Sequence, residues 1–151
     1  MKTNRQGYVS VTLTQASKDL LDEKLGHIEG MLSFDKSHMT LMYDVRNPDL
    51  NTRVSKQIHE MRVTGVEMMG ALDSPWRAIV LKLQTEGSTA LERFNELRAK
   101  GYQHSYPNFQ AHVSLKYRPS PEDIEEITEA AQVMVGKTLA FGNEQFKKIR
   151  N

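Results

Sequence analysis

The sequence predicts an α+β fold, one domain of two similar lobes spanning residues 1–151, and three observations predict it. Short segments rich in β-branched residues alternate apolar with polar; other segments carry apolar residues at helical spacing between capping signals; and one seven-residue pattern occurs twice. The copies are Ser37-His38-Met39-Thr40-Leu41-Met42-Tyr43 and Ala111-His112-Val113-Ser114-Leu115-Lys116-Tyr117. From the histidine onward both read His, apolar, hydroxyl, Leu, any residue, Tyr.

Tyr8 to Thr14 alternates and reads as a first strand, with Val9, Val11 and Leu13 inward and Tyr8, Ser10 and Thr12 on the other face. Leu20, Leu21 and Leu25 then mark a helix capped by Thr14 and stopped at Gly26. His27 to Lys36 reads as a loop or short strand, the first histidine motif as a strand, and Asn47-Pro48-Asp49 as the turn cluster beyond it. Met61–Leu72 and Trp76–Leu83 alternate on either side of Asp73-Ser74-Pro75, which predicts a long hairpin. A helix follows from Ser88 to Gly101 with Leu91, Phe94 and Leu97 buried, then the second motif strand. Ser120-Pro121-Glu122-Asp123 opens the last helix with a hydroxyl cap, a proline in the first turn and acid beside the positive end of the helix dipole. Ile124, Ile127, Ala131 and Met134 form its stripe, and Thr138 to Ile149 reads as one or two final strands around Gly142-Asn143.

No run of Gly, Ser or Pro divides the chain, and its length suffices for a core without staples. There are no cysteines, so disulfides and thiolate metal sites are excluded, which fits a reducing compartment. Twenty basic residues against nineteen acidic leave a net charge of +1, which argues against a long nucleic-acid duplex as partner and leaves a small anion open. The polar start, Met1 to Gly7, lacks the apolar core of a signal peptide, and no run is long enough to span a membrane, so a cytoplasmic protein with no membrane partner is expected.

On a strand, residues two apart share a face. His38 therefore projects beside Thr40, and His112 beside Ser114, while Met39, Leu41, Val113 and Leu115 turn into a core. Two imidazoles with pKa near 6.5 hold one proton between them at neutral pH and supply a general base and a general acid. Thr40 and Ser114 supply donors for phosphoryl oxygens. The pairs suit cleavage of a phosphodiester by a neighbouring 2′-hydroxyl, with no cofactor or metal required. A metal site is the weaker alternative: there is no helical His-x-x-x-His, and each motif histidine has a hydroxyl as its same-face neighbour, although Asp35 and Asp44 lie near His38. His27, His59 and His104 lack the repeated context and read as surface or half-buried residues rather than catalysts. Lys116 and Arg118 flank the second motif as candidate phosphate contacts, with solvated strand-end charges the alternative. Trp76 either stacks on a base or anchors the core. Strict alternation turns Tyr43 and Tyr117, at position +5, away from the histidines, so both are expected to serve packing.

The paired His38-Met39-Thr40-Leu41 and His112-Val113-Ser114-Leu115 resemble the H-x-[ST]-L signature of the two-histidine phosphoesterases. Tyr8 on the first strand, SHMTLMYD, QAHVSLKY and the late FGNEQF are most similar to the bacteriophage anti-CBASS nucleases, over nearly the whole chain. The resemblance implies a bilobal fold of antiparallel sheets around a central cleft with helices outside. It also implies metal-independent hydrolysis of cyclic di- and trinucleotide second messengers such as 3′,3′-cGAMP, in the host cytoplasm. On the same ground His38, Thr40, His112 and Ser114 carry catalysis, Tyr8 contacts base or phosphate, Glu144 recognises a base edge and Trp76 stacks. Action on RNA ends or 2′,3′-cyclic phosphates, and sequestration of a nucleotide without turnover, are the alternative functions. Oligomeric state is not encoded in any pattern found.

Overall fold

The computed structural model describes residues 5–150; Met1 to Asn4 and Asn151, part of the polar start and the last position of the expected domain, lie outside them. Six strands form one antiparallel sheet: β1 (Tyr8–Leu13), β2 (His38–Tyr43), β3 (His59–Met69), β4 (Ala78–Leu83), β5 (His112–Tyr117) and β6 (Thr138–Lys147). Three helices intervene, α1 (Gln15–Leu25), α2 (Thr89–Ala99) and α3 (Pro121–Ala131). The α+β class is as expected.

Each helix begins where a hydroxyl meets an orphan amide. Thr14 accepts from the Ser17 N–H, Ser88 from that of Leu91, and Ser120 with Asp123 completes a reciprocal capping box ahead of Pro121. Gly136 closes the turn after α3 at φ +89°, where a side chain would be strained. Val9, Val11, Met39, Leu41, Leu81, Leu115, Leu139 and Phe141 from the sheet, with Leu21, Leu25, Leu97 and Ile127 from the helices, are all buried in one core.

The strand order is β2-β1-β6-β3-β4-β5. Its left half holds the unit β1–α1–β2 and its right half the unit β4–α2–β5, so the order is symmetric about the β6–β3 seam. Each histidine strand lies at an outer end, and the sheet folds so that those ends meet, with Cα atoms of β2 and β5 within 8 Å of each other. The seam depends on the length of β3. His59–Arg62 pairs with β6 and Val63–Met69 with β4, with a register shift between Val63 and Gly65 at the handover.

The expected hairpin is β3–β4, its first strand running from His59 to Met69 rather than from Met61 to Leu72, and its second from Ala78 to Leu83 rather than from Trp76. The final segment is one strand. Gly142-Asn143 makes a bulge and not a turn, because Asn143 takes φ +54° while the ladder to β1 slips between Ser10 and Thr12.

Candidate active site

The histidine strands share a departure from ideal pairing. On β2, Val9 faces Met42 and Ser10 faces Thr40, which leaves Leu41 as an extra residue. On β5, Ile79 faces Lys116 and Val80 faces Ser114, which leaves Leu115 extra. The leucine of the repeated motif is thus a β-bulge in both lobes, and a bulge resets the parity of everything after it.

This overturns the expectation for Tyr43 and Tyr117. Tyr43 pairs with Tyr8, on the face of β1 that also carries Thr12, the partner of His38, and Ser10, the partner of Thr40. Cross-strand partners share a face, so Tyr43 stands beside His38 and Thr40. Tyr117 likewise shares the face of His112 and Ser114, through Ala78, Val80 and Lys82 on β4. The alternation rule failed by the one residue that the bulge inserts. Consecutive apolar residues at Leu41-Met42 and the tyrosine repeated at +5 were the signals that could have shown it.

The same slip removes Lys116 from the site. Its ammonium binds Asp123 at 3.0 Å, at the first turn of α3, so it is engaged away from the His112 face. Lys82 is the lysine that shares a face with His112, and it is within 3.6 Å of Glu67.

Tyr8 joins one motif together. Its hydroxyl lies 2.8 Å from His38 Nε2 and 3.0 Å from Thr40 Oγ1. Burial holds the phenol pKa above its ordinary value, opposed by the bond to Thr40 and reinforced by Tyr117, Tyr43 and Tyr106. Tyr8 therefore keeps its proton, and the direction of the chain follows the charge on His38. With His38 an imidazolium, Nε2–H donates to the phenol, the phenol donates to Thr40, and the Thr40 hydrogen is free to donate outward.

His112 is set differently. Its Nδ1 lies 2.7 Å from the Gln110 carbonyl, which can only accept, so Nδ1 carries the hydrogen and the neutral ring presents a lone pair at Nε2. Burial pushes its pKa below the usual imidazole value; the Gln110 bond opposes this, while charge on His38 and on Lys82 adds to it. Charge on His38, carried on the neighbouring strand end, thus discourages protonation of His112.

The aromatic residues form a frame around these groups. Tyr43 stacks edge-on against Tyr8 at 5.7 Å and meets Tyr106 at 5.5 Å. Trp76, which is 74% exposed and so anchors no core, meets Tyr117 at 6.0 Å. Tyr106 is presented by the loop after α2, which is fastened to β2. The Tyr43 amide donates to His104 Nδ1 at 3.1 Å and the Ser105 amide to the Tyr43 carbonyl at 2.7 Å. The buried Asp44 carboxylate accepts from the Gln103 amide and from Arg46. Burial raises the pKa of Asp44, but those bonds outweigh it and hold the group below the usual carboxylate range. A hollow of about 530 Å³ lies between α2 and that loop, with Tyr106 in its lining, and none of the motif residues line it.

Glu144 lies elsewhere. The bulge at Asn143 directs it inward, where its carboxylate takes Arg93 in a fork of two 2.9 Å bonds and the Ser55 amide at 2.7 Å. With both oxygens engaged and the residue buried, it serves as a tie between β6, α2 and the segment before β3, away from the face that carries the histidines. His59, expected at the surface or half-buried, is fully buried next to this tie with Nδ1 2.8 Å from Thr89 Oγ1. Among the described residues no three His, Asp or Glu side chains gather as a metal-binding set, and no helix is long and apolar enough to cross a membrane.

A search of curated proteins found no match. A family model described as "Anti-CBASS protein Acb1" matches residues 5–150, which takes in both histidine motifs and every element of the fold. With nearly the whole chain matched, this protein belongs to the Acb1 family of anti-CBASS proteins, which counter CBASS signalling.

Proposed function

We propose that this protein is a metal-independent phosphodiesterase that opens cyclic di- and trinucleotide messengers such as 3′,3′-cGAMP to linear products. The observation that supports the reading is the approach of β2 and β5, each carrying a His–hydroxyl pair, where the two ends of the sheet meet. The family match supplies the class of target, because an anti-CBASS role implies a cyclic oligonucleotide.

The asymmetry of the site divides the roles. His112, held neutral with its Nε2 lone pair outward, removes the proton of the ribose 2′-hydroxyl as that oxygen attacks phosphorus. His38, as the imidazolium, transfers its Nε2 proton from the hydrogen bond with Tyr8 to the departing 5′-oxygen, and the P–O5′ bond breaks as the new P–O2′ bond forms. Thr40 and Ser114 donate to the non-bridging oxygens, where charge grows in the transition state. Water, entering with the roles of the histidines exchanged, hydrolyses the resulting cyclic phosphate. Tyr8 orients His38 and keeps the hydrogen of Thr40 pointed at the phosphate. The near-neutral charge of the chain favours a small ring over a long RNA, whose phosphates recruit basic stripes.

The test is incubation with 3′,3′-cGAMP and, separately, with a short single-stranded RNA, followed by chromatography and mass measurement. Ring opening is the expected result. Cleavage of RNA alone would transfer the reading to RNA-end processing, and tight binding of the ring without product would make the protein a sponge.

A further inference from the structure

His112 has a cation as its cross-strand partner. It pairs with Lys82 on β4, and Lys82 pairs in turn with Gly65 on β3, so the three form one row on the face that carries the second His–hydroxyl pair. The next row on that face is Ser114, Val80 and Glu67. Lys82 reaches diagonally to Glu67 at 3.6 Å, with its side chain 36% exposed and that of Glu67 55%. The separation is longer than a hydrogen bond, and exposed pairs of this kind are worth little, so the ammonium is lightly held. Charge on Lys82 also acts on His112.

Beyond Lys82 the row is open. A Cβ built at Gly65 meets no heavy atom within 4 Å, and the backbone there does not take the positive φ that would call for glycine. The slip in the β3–β4 ladder leaves Thr64 without a partner, so the glycine is not the bulged residue either. A glycine inside a strand that serves neither a turn nor a bulge marks a place where something approaches the backbone closely.

We propose that Lys82 holds the second phosphate of the cyclic nucleotide, the one that is not being cut, over the open floor at Gly65. This rests on the phosphodiesterase reading and narrows its substrate. A ring of two nucleotides closes through two phosphodiesters; with one at the histidines, the other stays in the same cleft and keeps its negative charge. β4 lies one strand spacing, about 4.8 Å, from β5, and β3 lies the same distance further on, so a cation on β4 stands within the reach of a small ring whose first phosphate is at His112. A phosphate arriving there exchanges the loose contact with Glu67 for charge-assisted hydrogen bonds from Nζ. The site therefore prefers a ring to an open dinucleotide of the same bases, because the open molecule lacks the second phosphate.

The experiment compares kcat/KM for 3′,3′-cGAMP with that for the open dinucleoside monophosphates ApG and GpA, which have the same bases and a 3′,5′ bond but no second phosphate. The readout is the ratio of ring to the better open substrate, because charge on Lys82 acts on His112 whichever substrate is bound. It is measured for the wild type at about 0.05 M and about 0.5 M salt, and for Lys82→Met, Lys82→Arg and Gly65→Leu. The wild type is expected to prefer the ring, and the preference should shrink as salt screens the contact. Lys82→Met should lower the ratio about tenfold, the low end of what a hydrogen bond between charged groups contributes, and Lys82→Arg should stay within about threefold of wild type. Gly65→Leu should lower the ratio with the charge intact, by filling the floor. A wild type with no preference for the ring, or one whose preference ignores salt, would overturn the assignment without any variant having to fold. A ratio unchanged in Lys82→Met or in Gly65→Leu, or an arginine variant as impaired as the methionine one, would overturn it as well and leave the phosphodiesterase intact. A wild type that cleaves none of the three substrates would remove the functional reading and this inference with it.

Discussion

The chemistry at the residue level depends on how two imidazoles are held. His112 is fixed in one tautomer by the Gln110 carbonyl, and its pKa is held low by burial first, then by charge on His38 and Lys82 against that bond. The base therefore stays neutral to lower pH than a free imidazole would, and the acid limb of kcat/KM for 3′,3′-cGAMP should have its midpoint below about pH 6.5. A limb centred above that value would contradict the assignment of His112 as base. Tyr8→Phe keeps the ring but removes the hydroxyl shared by His38 and Thr40. It should slow turnover by about tenfold or more with the fold unchanged, the smaller end of what a positioned acid–base partner contributes; wild-type kcat in this variant would deny Tyr8 its orienting role. The pairing of histidine with hydroxyl was legible in the sequence because it needs only the two-residue period of a strand. The partners were not: the Gln110 carbonyl is a backbone atom, and the contact from Tyr8 to His38 spans thirty positions.

The elements show where the sequence was read well and where a single residue defeated it. Helix starts were legible because Thr14, Ser88 and Ser120 do local work, accepting from amides within the first turn. Strand faces were legible up to Leu41 and Leu115 and inverted beyond them, since no local propensity announces a bulge. By that inversion Lys116 leaves the face of His112, and Tyr43 and Tyr117 join the faces that carry the histidines. Glu144 lies off those faces for a similar reason, as the bulge at Asn143 turns it into the buried pair with Arg93. Breaking that pair from one side leaves a charge in the interior. Glu144→Met should cost about 3–5 kcal/mol in chemical denaturation, and the double change with Arg93→Met should recover much of it, because the remaining charge is gone. If the single variant were as stable as wild type, the pair would not tie α2 to β6. Gly7, just before β1, has no room for a side chain: a Cβ there would collide with the Asp44 carbonyl. Gly7→Ala should push β1 away from the end of β2 and lower both stability and activity through Tyr8.

At the scale of the molecule, the strand order places the two histidine strands at the ends of one sheet and the fold brings those ends together. The sequence carried the two-lobe plan in its repeated motif and in the strand–helix–strand order around each copy. It did not carry the seam, which relies on β3 changing partners midway, a long-range pairing with no local signature. The interior also holds a titration. His59, His104 and His112 are all held below the ordinary imidazole pKa, chiefly by burial. The folded state then binds fewer protons than the unfolded one between those lowered values and about 6.5, so stability is full above that pH and is lost as pH falls through the folded values. Tm should drop between pH 7.5 and pH 5.5, by about 2–4 °C for each kcal/mol lost, and His59→Gln should flatten the slope. A Tm independent of pH over that span would show that these histidines do not charge on unfolding.

The central claim is that the two facing His–hydroxyl pairs, and no metal, open a cyclic nucleotide. The most direct measurement is the initial rate of 3′,3′-cGAMP ring opening in excess EDTA, for the wild type and for His38→Ala and His112→Ala. The account predicts that the wild-type rate survives the chelator and that each variant falls by about 10²–10⁴-fold while remaining folded. A wild-type rate abolished by EDTA, or a histidine variant that opens the ring as fast as the parent, would contradict it.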